Sequence, residues 1–138
     1  MYKLNERSLK NLAGIHPDLV RIMETAIEDS PCEFTITDGV RTLAQQQAIY
    51  AKGRTVEGKI VSNADGVKVK SNHQVKEDGY GWAVDLYPSP DGKVNLNDVE
   101  KLKLIAIHIQ ETACKLDYEI DWGGNWKFKD FPHFELKA

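Results

Sequence analysis

A chain of 138 residues, 41% hydrophobic and 28% charged, has the balance of an ordinary globule and length enough to bury a core without disulfides or structural metals. Its net charge of −3 argues against a nucleic-acid binder, which presents a strongly basic face. Cys32 and Cys114 form no CxxC pair, excluding zinc-finger and thioredoxin readings; both are expected as buried or half-buried free thiols of a reducing cytoplasm.

The opening MYKLNERSLKNLAG has no apolar core of signal-peptide length, and no stretch long enough to span a membrane follows. The expectation is one domain over residues 1–138, made in the cytoplasm, with no stable membrane association and no partner needed to complete it: a monomer. Leu9, Leu12 and Ile15 predict a short helix starting near Asn5. Pro17 is placed to open a second, with Leu19, Val20, Met23, Ala26 and Ile27 at helical spacing and Ser30–Pro31 ending it. FTITD, residues 34–38, alternates as a strand. A third helix starts at Thr42 and is stopped by Gly53.

Residues 54–80 are rich in Gly, Asn, Asp, Ser and Lys and predict a long excursion of little regular structure, the kind of loop that is functional or mobile. Lys52, Arg54, Lys59, Lys68 and Lys70 make this third of the chain locally basic. A solvated surface and attraction of an anionic substrate both account for that. WAVDLY, residues 82–87, reads as a strand and PSPDG as a turn. Asn97 is expected to cap the longest helix, with Val99, Leu102, Ile105, Ala106, Ile109 and Ala113 on its apolar face. A turn around Gly123 and Gly124 leads to a last strand, HFELK. Helices and strands are segregated, which points to an α+β fold: a small, mainly antiparallel sheet flanked by helices.

Asp85 is the anomaly. Period-2 geometry puts Trp82, Val84 and Leu86 on one face of its strand and Ala83, Asp85 and Tyr87 on the other, and a carboxylate in a buried strand requires a cation, hydrogen bonds or a metal. His73 lies upstream across a loop containing Gly79 and Gly81. His133 begins the last strand after Pro132, which excludes a helical HxxxH site. His73, Asp85 and His133 form a two-histidine, one-carboxylate set, the composition of a catalytic zinc site with one position left for water. Asp130 would be the unligated carboxylate beside that water. His16 and His108 read as structural. Glu77, Asp78 and Asp91 lack EF-hand spacing, so no calcium site is expected.

Three blocks of the sequence carry a resemblance. SNHQVKEDGYGWAVD resembles the SxHxxGxAxD signature of the zinc D-Ala-D-Ala carboxypeptidase and L-alanyl-D-glutamate peptidase family through Ser71, His73, Gly81, Ala83 and Asp85. DGVRTLAQQQAIYAKGRT resembles the family's upstream block, with Arg41 and Gln46 in the matching places, and DFPHFEL resembles its terminal element. Seven residues separate His73 from Gly81 where the family usually has two, so KEDGY lengthens this loop. Asp at 130 in place of the commoner Glu resembles small phage endolysins, relatives that cleave the L-Ala–D-Glu bond of the peptidoglycan stem peptide during host lysis.

The resemblance implies a hedgehog/D-Ala-D-Ala-peptidase-like fold, one zinc ion on His73, Asp85 and His133, and hydrolysis of a stem-peptide amide, reached at the wall once the membrane is permeabilised. Zinc lowers the pKa of a bound water from about 15.7 towards about 7. Asp130 would take up its proton. Arg41 would grip a carboxylate or developing oxyanion, and Ser71 would donate a hydrogen bond to substrate or to a ligand. Gln46 would contact substrate, orient Arg41 or face solvent. Trp122 and Trp126 either wall the cleft or pack under the sheet, and Tyr80 and Trp82 carry the same ambiguity. Three rivals stand beside this reading: a D,D-carboxypeptidase releasing terminal D-Ala, a non-catalytic zinc-stabilised binding module like the hedgehog domains, and a metal-dependent nuclease, for which the acidic pI offers no phosphate grip.

Overall fold

The computed structural model describes residues 1–137. The elements in chain order are α1 (Glu6–Asn11), α2 (Pro17–Glu28), β1 (Phe34–Asp38), α3 (Leu43–Ala51), β2 (Ala83–Pro88), α4 (Val99–Lys115), β3 (Ile120–Trp122) and β4 (His133–Leu136), with short 3-10 turns at Pro90–Gly92 and Gly123–Asn125. The strands form one sheet in the order β1-β2-β4-β3, every pair antiparallel. This is the expected α+β arrangement.

Local chemistry sets the boundaries. Asn5 starts α1 by accepting Ser8 N at 2.8 Å. Of the residues its spacing suggests, Leu12 and Ile15 are buried but Leu9 is 53% exposed; Ser8 is fully buried instead, and its Oγ accepts Ile36 N at 2.9 Å. Ile15 lies beyond the helix and bridges Gly81. Pro17 opens α2, and His16 caps it by accepting Asp18 N at Nδ1. His108 donates from Nε2 to Ala26 O at 2.8 Å, tying α4 to α2. Both histidines are thus structural, as expected.

Leu19, Ile22, Met23, Ala26 and Ile27 of α2 meet Leu102, Ile105, Ala106, Ile109 and Ala113 of α4 and the sheet residues Ile36, Val84, Leu86 and Phe134 in one core. Burial of the Leu, Ile, Val, Met and Phe side chains among them contributes about 1.5–3 kcal/mol each. Three expectations need correction. Asp98, not Asn97, caps α4, because its Oδ1 reaches Lys101 N at 3.1 Å while the Asn97 amide is held by Asn95. Cys114 is exposed and Cys32 half-buried, since position 114 falls on the outer face of α4. β3 was not foreseen: three residues around Asp121 are too short to show alternation. Among the described residues, no helix is long and apolar enough to cross a membrane.

Residues 54–80 carry no helix or strand, and side chains fasten them. Gln46 Nε2 donates to Ser62 Oγ and Ala64 O, Arg54 donates to Tyr50 O and Ser62 O, and Asp65 Oδ1 accepts the amides of Val67, Lys68 and Val69. The KEDGY segment closes on itself through Lys76 N to Tyr80 O, and Trp82 N to Asn72 O brings its ends together. The insertion therefore loops outward while His73 stays beside β2.

Candidate active site

Register places the chemistry. On β2, Val84 and Leu86 are fully buried towards the core, and Asp85 and Tyr87 face the other way into a cavity of about 750 Å³. Asp85 pairs with His133 of β4 on one side and, after an irregularity between Ile36 and Asp38, with Asp38 of β1 on the other. Asp38, Asp85 and His133 thus stand in a row across three strands. A one-residue slip of β4 would turn His133 into the core.

His73 reaches this row from the loop before β2. Its carbonyl accepts Arg41 N at 2.8 Å, and its Nδ1 donates to Gly39 O at 2.8 Å, which turns Nε2 towards Asp85. His133 is held the opposite way: Nε2 donates to Glu135 Oε1 at 2.6 Å, presenting Nδ1. The presented atoms converge, with Asp85 Oδ1 3.2 Å from His73 Nε2 and 3.6 Å from His133 Nδ1, and the two nitrogens 3.2 Å apart. Asp85 Oδ1 is buried and has no hydrogen-bond partner among the described residues. An orphaned carboxylate oxygen facing two ring nitrogens can hold one metal ion, and the residues fit that group.

The charges agree. Burial alone would raise the Asp85 pKa, yet His73 and His133 hold it far below the usual carboxylate range. Burial opposes charge on His133, but its contacts with Asp85 and Glu135 and the charge of Asp130 raise its pKa to about 9. Without a metal, a proton at His133 therefore balances the cluster at neutral pH. Asp130 stands beside the set, Oδ2 3.8 Å from His133 Nδ1. Burial, then Asp85, raise its pKa, partly offset by His133, His73 and Arg41, which is the tuning a general base needs.

Arg41 lies over the row. Nε donates to Asp38 Oδ2 at 2.8 Å, Nη1 to Gln46 Oε1 at 3.1 Å and Nη2 to Asp85 Oδ2 at 3.2 Å. Three of its five N–H donors are used and two remain. Gln46 is fully buried, with its amide committed to Arg41 and the excursion, so it holds the arginine and has no surface for a ligand. Ser71 lines the cavity, and its Oγ accepts His73 N at 3.2 Å. The two tryptophans of WGGNW divide the readings left open for them. Trp122 packs against Phe134 and donates to Phe131 O, whereas Trp126 lies 4.8 Å from the His133 ring and walls the cavity. Trp82 and Tyr80 pack around His16 instead.

Sequence reasoning missed Asp38, Asn72 and Glu135. Asn72 Nδ2 reaches Glu135 Oε2 at 2.5 Å, so the Asn72–Glu135 pair joins the His73 loop to β4 behind the ligands. Glu135 had a signal, since period 2 puts it on the His133 face, and Asp38 stands three residues before Arg41. Nothing local marks Asn72.

An antiparallel sheet with a convergent His–Asp–His set, an adjacent carboxylate of raised pKa and an arginine over an open cavity defines a candidate metal-dependent hydrolase. The chain belongs to the phage L-alanyl-D-glutamate peptidase family, whose model matches residues 1–137. It is 29% identical over 136 residues to the L-alanyl-D-glutamate peptidase of Escherichia phage T5, covering 99% of this chain and 90% of that protein. It is 32% identical over 120 residues to the peptidoglycan L-alanyl-D-glutamate endopeptidase CwlK of Bacillus subtilis, covering 83% of this chain and 66% of the relative. Among solved structures it resembles the Serratia marcescens L-Ala D-Glu endopeptidase ChiX, with TM-score 0.78 and 32% identity over 98% of this chain and 90% of that one. The vancomycin-resistance D,D-dipeptidase VanXYg shares the fold at TM-score 0.55 and 16% identity, over 88% of this chain and 50% of that one.

Proposed function

We propose that this chain is a zinc peptidase hydrolysing the L-Ala–D-Glu amide of the peptidoglycan stem peptide, acting as a monomer in lysis of a host cell, on the wall after the membrane has been permeabilised. The observation that carries the reading is the orphaned Asp85 Oδ1 facing His73 Nε2 and His133 Nδ1. Their separations of 3.2–3.6 Å match the edge of about 3.3 Å in a tetrahedron of zinc–ligand bonds of about 2.0–2.1 Å. Family membership supplies the bond class.

Zinc, when bound, supplies the Lewis acidity that polarises a carbonyl and makes water acidic near neutral pH. The rest is done by this chain. Asp130, with its proton affinity raised by burial, accepts the proton of the attacking water and returns it to the leaving amine. Arg41, fixed by Asp38, Gln46 and Asp85, aims its two spare N–H donors at the carbonyl oxygen as charge develops there. Ser71 hydrogen-bonds the bound peptide at the cavity edge, and Trp126 excludes water from the His133 side. Gln46 acts by positioning Arg41. The conjunction of Asp130 and Arg41 beside the ligand set favours catalysis over a closed, structural metal site.

The test is digestion of purified peptidoglycan by the zinc-loaded protein, with elemental analysis of its metal and identification of the new termini. A free D-Glu amine with about one zinc per chain is the expected result. Release of D-Ala would instead make it a D,D-carboxypeptidase, and wall binding without any new terminus would make it a binding module.

A further inference from the structure

We propose that the 52–70 excursion is a docking surface for the anionic peptidoglycan network, delivering the cavity to polymeric wall as distinct from free peptide. This rests on the hydrolase reading and concerns a different face.

Residues 52–70 hold Lys52, Arg54, Lys59, Lys68 and Lys70 against Glu57 and Asp65, a balance of +3 inside a chain of −3, so the remaining residues carry −6. Among the described residues, no carboxylate forms an ion pair with any of the four lysines. Arg54 is spent on backbone carbonyls and lies 3.7 Å over the Tyr50 ring, which leaves its charge uncancelled. Asp65 accepts the backbone amides of Val67, Lys68 and Val69 at the loop surface. One acidic residue of the stretch therefore shapes the loop; its charge acts on Lys68 without pairing with it.

The patch is continuous with the cavity, because Lys52 and Lys70 line it while Lys59 and Lys68 lie outside it. The excursion also holds its shape, fastened to α3 by Gln46 and by Arg54 donating to Tyr50 O, so the charges are presented from an anchored surface. The partner that matches them bears many carboxylates, and cross-linked stem peptides are such a network. A positive field at the mouth of an otherwise acidic protein raises the local concentration of that polymer and is screened by salt.

Lys59→Glu with Lys68→Glu tests this in the zinc-loaded enzyme, because neither residue lines the cavity. The expected result is a sacculus-digestion rate lowered about ten-fold at low ionic strength, with kcat/KM on a soluble L-Ala–D-Glu peptide at the wild-type value. Added salt should slow wild type on sacculi and leave the variant nearly unaffected. Equal sacculus rates for the two proteins, or a salt-insensitive wild type, overturn the proposal. So does co-sedimentation of wild type with phosphatidylglycerol vesicles in preference to sacculi. Failure of wild type on both substrates would instead strike the hydrolase reading.

Discussion

Replacing Gly39 by alanine tests how the first histidine is held. A Cβ built on Gly39 lies 1.9 Å from Asn11 O. An ordinary carbon–oxygen approach is about 3.3 Å, so the two backbones must part by about 1.4 Å. Neither side yields freely. Asn11 ends α1, and its Nδ2 donates to Ile36 O at 2.8 Å. Gly39 O accepts His73 Nδ1 at 2.8 Å, and a shift of that size either breaks this bond or drags the ring from its place 3.2 Å from Asp85 Oδ1. Overpacking of this kind costs about 1–3 kcal/mol, and losing the outer partner of a metal-binding histidine weakens affinity about 10–100-fold. Gly39→Ala should therefore lose about that stability in urea and about that zinc affinity in competition with a chromophoric chelator. A folded variant with wild-type zinc affinity would refute the claim that this carbonyl orients His73.

Gly123→Ala should disturb the base and the second histidine together. Its Cβ would lie 2.2 Å from Asp130 O, the carbonyl that also accepts His133 N at 3.1 Å, and misplacing a catalytic group by about 1 Å costs about 100-fold in rate; kcat and zinc affinity should both fall, and a folded variant with wild-type kcat would undo the claim. Asp130→Asn should keep its zinc and lose about 10²–10⁴-fold in kcat, so a metal-free purified variant would make Asp130 a ligand. Glu135→Ala should bind zinc about 10–100-fold more weakly, with Glu135→Gln, which keeps an acceptor, nearer wild type; unchanged affinity in both would deny Glu135 its role. For the metal-free protein the sign follows from His133. Its folded pKa of about 9 exceeds its ordinary 6.5, so its stabilisation is complete below pH 6.5 and is lost as pH rises through 9. The loss is roughly 3 kcal/mol, read from urea unfolding after chelation, and a flat profile between pH 6.5 and 10 would contradict the assigned proton.

What the sequence disclosed depended on whether a residue's neighbour was local. The proline before α2, the apolar faces and the alternation through Asp85 are short-range, and they located α2, β1, β2 and α4; His73 and His133 were legible only as residue types in combination with Asp85. The amphipathic pattern failed in part at α1, where a serine is buried to bond a strand amide while Leu9 is left outside. It failed again at β3, whose three residues are a strand only because β4 pairs with them. Gln46 shows the same limit: its identity fits the family block, but only the packed structure shows it sealed behind Arg41. Asn72 and Glu135 meet from opposite ends of the chain, a contact that no periodicity encodes.

The hold on Asp85 explains why Arg41 belongs to the site even before a substrate arrives. A carboxylate beside a metal can offer one oxygen or two. Here Oδ2 is taken by Arg41 at 3.2 Å, and only Oδ1 faces the ring nitrogens. The chain would therefore offer a bound ion three donor atoms, the number found in catalytic zinc sites, where closed structural sites have four. Arg41→Lys keeps the positive charge but loses the planar fork that reaches Asp38, Gln46 and Asp85 at once. Such a variant frees Oδ2 to compete for the ion, so it should bind zinc at least as tightly as wild type while turning over far more slowly. Weaker zinc binding in Arg41→Lys would show that the arginine supports the ligand set instead of limiting it.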